Sequence, residues 1–176
     1  LDVGVNREVK DAWIEWSTGP VTVDGMLPLL PLEEQLLGTA ACEGENFVRR
    51  YFGPDLPHGL ALQGIDPDMV DDSYNVVGAR IDPEIRLGIE MDSRGRRLAY
   101  HVLDQPYVPG SRGGGRIRIA AEEMRHVYRA RRVNQTRGMS WLGRAVAALK
   151  TLDRYVENEL VASATGAAKM GFLQWK

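Results

Sequence analysis

The chain has 176 residues, 44% of them hydrophobic and 26% charged, with a formal net charge of −2 and a single cysteine. That composition is too apolar for disorder and long enough for one substantial core, and a lone Cys42 excludes a disulfide framework, a thiolate zinc site and a Cys-x-x-Cys redox pair. The lone cysteine fits an intracellular or virion setting, and the longest apolar runs, such as residues 26–32, are broken by Pro28 and Pro31 and fall far below the roughly 20 residues of a membrane helix. The near-zero total hides an asymmetry: residues 1–92 sum to −12 and residues 93–176 to +10. Two surfaces with different partners, or a surface that meets its own opposite end, are the expected consequences. The chain starts without Met or a signal pattern, and both ends read as cuts in a longer chain.

From Asn6, a candidate N-cap, to Ser17 the residues Val9, Trp13 and Trp16 recur at spacings of four and three, predicting an amphipathic helix. After the Gly19-Pro20 turn, Pro31 suits a first helical position, and Leu32, Leu36, Leu37, Ala40 and Ala41 predict a second helix over Leu32 to Glu43. The aromatic and branched run from Glu45 to Phe52 reads as a strand, with an antiparallel partner from Leu60 to Ile65 across a Pro/Gly-rich turn. Residues 71–86 are acidic and turn-rich and are expected to form a surface loop. Two alternating runs, Arg86 to Met91 and Leu98 to Leu103, flank a glycine turn and predict a β-hairpin. Residues 105–115 read as a flexible excursion, followed by strands at Arg116 to Ile119 and Met124 to Tyr128 and a basic loop from Arg129 to Gly138. Ser140 then caps a long helix whose residues Leu142, Ala145, Val146, Leu149, Leu152, Val156 and Leu160 form a near-heptad seam suited to lengthwise packing on another helix.

The expected fold is therefore α+β: two N-terminal helices, a small mostly antiparallel sheet with hairpins, and a long C-terminal helix, divided as an α+β domain over 1–138 and a helical segment over 139–176.

Chemistry-bearing constellations are weak. His58, His101 and His126 lie in a turn and two separate strands, with no partner at ligand spacing. Asp66, Asp68, Asp71 and Asp72 lack the spacing and closing Glu of a calcium loop, so a solvated turn with Asp66 as an Asx-turn residue is expected. Gly113-Gly114-Gly115 is followed by a strand rather than a phosphate-binding helix, and no serine sits in a Gly-x-Ser-x-Gly elbow. No catalytic residue, metal or cofactor is assigned. The basic stretch stands out: from Arg112 to Arg154 there are 11 Lys/Arg, 10 of them arginine, against 3 acids. Arginine forks suit ion pairs at protein interfaces and phosphates alike. Arg129, Arg131, Arg132, Arg137 and Arg144 are candidates for subunit contact first, sequence-independent DNA contact second, and a solvated face third.

The C-terminal strand, loop and helix resemble the phage portal protein family of the lambda type. Glu122, Glu123, Met124, His126, Gln135, Arg137, Gly138, Trp141, Leu142, Leu152, Asp153, Tyr155, Glu159 and Leu160 occupy positions of the family's pattern. Upstream, Trp13 and Trp16, the run 43–47, the run 62–68, Gly88-Ile89-Glu90 and Ala99-Tyr100-His101 follow the family's order, while Pro28-Leu29-Leu30-Pro31 and Lys150-Thr151 depart from it. The resemblance implies a non-enzymatic structural subunit of a closed ring, commonly of twelve copies, at the capsid portal vertex of a virion made in the host cytoplasm. Its partners would be further copies of itself, double-stranded DNA passing through the channel, the large terminase, major capsid and scaffold proteins and a head-tail adaptor, with no membrane. Residues 1–138 would be wing, and 139–176 would lead into or form the stem. The alternatives are a non-catalytic fragment of a nucleic-acid-processing enzyme and a protein-binding α+β adaptor.

Overall fold

A computed structural model describes residues 3–78, 82–104, 115–168 and 171. The described residues form helices α1 (Val3–Thr18) and α2 (Leu29–Cys42), strands β1 (Glu45–Phe52), β2 (Leu60–Ile65), β3 (Glu84–Arg86), β4 (Ile89–Met91), β5 (Arg97–Leu103), β6 (Arg116–Ala120) and β7 (Met124–Tyr128), and helix α3 (Gly143–Ala168). The α+β class holds, but the strands divide into two antiparallel sheets, β2-β1-β7 and β3-β4-β5-β6, rather than one. The chain separates into two compact units between Ser140 and Trp141.

In the first unit β1 is the central strand of its sheet, pairing β2 on one side and β7 on the other. Residues Glu45 to Val48 are all buried, so the alternation expected of a half-buried strand is lost. The reason is a cover on both faces. Phe47 enters the core shared by the two sheets, with Val70, Ile89, Tyr100, Val102, Ile119 and Met124, while Asn46 reaches the other way and donates from Nδ2 to the Leu36 carbonyl of α2. A second core of Trp16, Val21 and Leu32, extended by Leu60 and Leu62, fastens the two helices over β2. Trp16 Nε1–H donates to the Leu60 carbonyl at 2.9 Å, which satisfies its one polar atom inside that cluster.

Several expectations are corrected. Helix α1 begins at Val3, so Asn6 lies inside it, and of the expected apolar face only Trp16 is buried; Val9 and Trp13 are exposed. Helix α2 begins at Leu29 with Pro28 at its N-cap, which puts Pro31 at the third helical position; there too its missing N–H removes no intrahelical bond. The run Arg86 to Met91 is not one strand. Leu87 and Gly88 take positive φ of 52° and 77° and turn the chain between β3 and β4, the backbone twist that tight hairpins require. A Cβ on Gly88 would stand 2.6 Å from the Asp71 carbonyl oxygen. The segment 71–86 is only partly a surface loop, because Asp71 is buried and β3 lies at its end. Asp66 behaves as expected, its Oδ1 accepting from the Asp68 N–H at 2.9 Å. Of the excursion at 105–115, all but Gly115 lies outside the described residues, as do 169–170 and 172–176.

The second unit is α3. It starts at Gly143, so Leu142 rather than Ser140 stands at its N-cap position. The Ser140 hydroxyl donates to the Ala41 carbonyl at 3.4 Å, within the first unit.

Candidate functional site

The basic loop after β7 is anchored by a buried acid. Glu45, 4% exposed, opens β1. Its Oε1 accepts from Arg137 Nε at 2.5 Å, and its Oε2 accepts from the Gly138 N–H at 2.6 Å and from His126 at 2.8 Å. Arg137 uses the rest of its fork on backbone: Nη1 donates to the Val70 and Leu87 carbonyls at 3.1 Å each, and Nη2 to the Pro67 carbonyl at 2.9 Å. Its guanidinium also lies 5.2 Å from the centre of the Phe47 ring. A planar five-donor cation is the side chain that can serve three carbonyls and a carboxylate at once. Burial pushes the Glu45 carboxyl up, but the bonds from His126 and Gly138 and the charge of Arg137 outweigh it, so it is held below the usual range.

His126 is stacked between Phe47 and Tyr128, with ring centroids at 4.2 and 4.5 Å. Its Nε2 faces an ionised acceptor and so carries the proton, while Nδ1 is buried without a partner. Burial outweighs the attraction of Glu45 and lowers its affinity for a second proton, which keeps it neutral near pH 7. Gln135, also buried, ties the loop to itself: Oε1 accepts from the Arg131 N–H and Nε2 donates to the Arg137 carbonyl, both at 2.8 Å. Tyr128 Oη donates to the Gln135 carbonyl at 2.7 Å and accepts from Arg97 Nη2 at 2.6 Å. At Gly44 and Gly138 two backbones touch: a Cβ on Gly138 would stand 2.2 Å from the Gly44 carbonyl oxygen, and one on Gly44 2.1 Å from the Met139 carbonyl carbon.

Two further buried acids repeat the arrangement. Asp71 Oδ2 accepts from Arg116 Nε at 2.5 Å, and Glu90 receives Arg118 bidentately at 2.7 and 2.8 Å. His101 lies 3.3 Å from the same Glu90. The three buried acids come from the acidic half of the sequence and their arginines from the basic half. Part of the charge asymmetry is thus closed within the chain itself.

Of the expected site residues, Arg137 is spent within the fold, whereas Arg129, Arg131 and Arg132 are exposed on the loop that it anchors. Arg144 lies in α3 with its side chain outside what the structure describes. A cleft of about 520 Å³ runs beside this loop, walled by Arg86, Arg94, Arg97 and Arg132 together with Glu84 and Asp92. Leu142, Val146, Leu149, Leu152, Val156 and Leu160 are all exposed, between 46% and 67%, and five of them lie within the 26 residues of α3. Among the described residues no group of three His, Cys, Asp or Glu could hold a metal ion, and no helix is long and apolar enough to cross a membrane. Sequence reasoning gave Glu45 and Glu90 no site role and placed Asp71 in a solvated turn. The available signal for Glu45 was a lone carboxylate beginning an otherwise aromatic and branched strand directly after Gly44.

Comparison with known proteins places these features. Residues 2–176 match the model of the family described as phage portal protein, lambda family. The chain is 27% identical over 179 residues to the probable portal protein of Halomonas phage phiHAP-1, covering 98% of this chain and 34% of that protein. The chain therefore spans about a third of the length of the curated relative that it matches.

Proposed function

The chain belongs to the lambda family of phage portal proteins, and from that premise we propose that it supplies most of the wing and the start of the stem of a subunit in a closed portal ring. The ring, commonly of twelve copies, sits at the portal vertex of the capsid, forms the channel through which double-stranded DNA enters and leaves, and docks the large terminase, capsid and scaffold proteins and a head-tail adaptor. The role is structural rather than catalytic. Residues 1–138 correspond to the wing and 139–176 lead into or form the stem; the nearby separation between Ser140 and Trp141 supports that division.

The observation that carries the reading is the family match over residues 2–176. Two physical features agree with it. Helix α3 exposes an apolar stripe along its length, and a helix of that kind needs lateral partners. The basic loop is rigidly anchored while its three remaining arginines project. Arg129, Arg131 and Arg132 meet a neighbouring subunit rather than DNA, because guanidinium clamps on phosphate would retard a duplex that has to slide.

Negative-stain microscopy of the full-length protein tests the reading. Hollow rings are expected; compact monomers with salt-sensitive DNA binding would replace it with a nucleic-acid-processing role.

A further inference from the structure

After the internal pairs are made, the first unit still carries one basic and one acidic surface. The basic surface lies between the β4–β5 turn and the loop after β7. The cleft beside the loop has four guanidinium groups against two carboxylates. Glu84 is already held by Arg86 at 2.8 Å and Asp92 by Arg96 at 3.3 Å. The side chains of Arg94 and Arg132 form no ion pair with any described residue, and Arg97 Nε is buried without an acceptor.

The acidic surface lies on the helical layer, which is fastened over β2 through Trp16, Val21 and Leu32 and whose Glu15 lies 3.6 Å from His58. Residues 3–43 carry seven acids and two bases. Glu8, Asp11 and Glu15 are exposed and spaced by three and four on α1, which brings them within about 60° of one another around the axis and makes a stripe about 10 Å long. Arg7 and Lys10 fall to one side of that stripe. Helix α2 adds Glu33 and Glu34 and contains no base. Among the described residues no ion pair joins the helical acids to the cleft arginines, so the two surfaces do not neutralise each other within one subunit.

We propose that the cleft walled by Arg94, Arg97 and Arg132 receives the carboxylates Glu8, Asp11 and Glu15 of a second copy of this chain. Such a contact is heterologous, one surface of a subunit against a different surface of the next, and contacts of that kind close into rings when the rotation permits. Opposite potentials also steer the approach and fix which surface meets which. The inference rests on the ring assembly proposed above and names the two surfaces that form it.

The test is a charge swap in the full-length protein, with ring yield measured by mass photometry at fixed concentration and salt. Arg94→Glu with Arg132→Glu is expected to lower ring yield at least tenfold, and Glu8→Lys with Asp11→Lys to do the same. All four substitutions together restore rings to near the wild-type level. Arg94→Gln with Arg132→Gln, which removes charge without reversing it, gives an intermediate loss, and thermal melts show whether each variant stays folded. Wild-type ring yield in either charge-reversed variant, or no recovery in the fourfold variant, would overturn the pairing while leaving the portal assignment intact. Rings absent from the wild-type protein would overturn both.

Discussion

Replacing Arg137 with alanine removes the cation that holds the basic loop on the sheet. The side chain is 14% exposed and its partner Glu45 only 5%, so the pair is effectively buried, and deleting one member of a buried pair costs about 3–5 kcal/mol. The Gly138 N–H and His126 still bind Glu45, which moves the expectation away from the upper limit. The carbonyls of Pro67, Val70 and Leu87 also lose their donor, at about 1 kcal/mol each where water cannot replace it; Leu87 is exposed and recovers most of its share. We expect a loss of about 4 kcal/mol, equivalent to a fall in Tm on the order of 12 °C for a domain of this size. Arg137→Lys should recover less than half, because an ammonium cannot reproduce the fork. Denaturant unfolding followed by tryptophan fluorescence measures the loss, and a double-mutant cycle with Glu45→Gln should return a coupling above about 1.5 kcal/mol. A loss below about 1 kcal/mol, or additive single mutants, would refute the view that this cation fastens the loop.

Two other outcomes are expected. Gly44→Ala and Gly138→Ala should each destabilise by more than about 2 kcal/mol, because the new Cβ meets backbone that cannot withdraw; Gly25→Ala, at φ 72° with open space around it, carries only the conformational cost of about 1 kcal/mol. Similar Tm values for all three would contradict the close approach. Stability should also fall on acidification. Burial lowers the His126 pKa, and the pKa values of Glu45, Glu90 and Asp71 also lie below their ordinary values, so the unfolded chain binds more protons and stability declines as pH falls. The histidine share is lost below its ordinary 6.5, and the carboxylate shares below 4.5 for the glutamates and 3.8 for Asp71. Tm measured from pH 8 to pH 3.5 should therefore drop in two stages, and a flat profile across that range would be inconsistent with these environments.

Much of the architecture was legible residue by residue. The strands Glu45–Phe52, Leu60–Ile65 and Met124–Tyr128 fall where β-branched and aromatic runs between turn residues put them, because strand propensity and turn chemistry are local properties. The Asx turn at Asp66 was equally local. Helix starts were less so: α1 and α2 each begin three residues earlier than their expected starts, since end positions depend on weak preferences that neighbouring packing overrides. The run Arg86 to Met91 misled because its alternation resembles one strand, while its Leu87-Gly88 step supplies the tight turn.

The α+β class, the family pattern, the apolar seam of α3 and the uneven distribution of charge all reside in residue type and spacing along the chain, and so could be read before any coordinates. Which charges are spent internally and which stay exposed depends instead on how the chain packs. Arg137 and Arg132 are five residues apart in one basic loop, yet the first is consumed by Glu45, 92 residues away, and the second lies exposed. Ion pairing is set by distance and burial in space, to which linear spacing is blind. The −12 and +10 halves are therefore not simply two faces for two neighbours. Three buried acids and their arginines close part of that difference within the chain, and the exposed acids of α1 and the arginines beside the cleft carry part of the remainder.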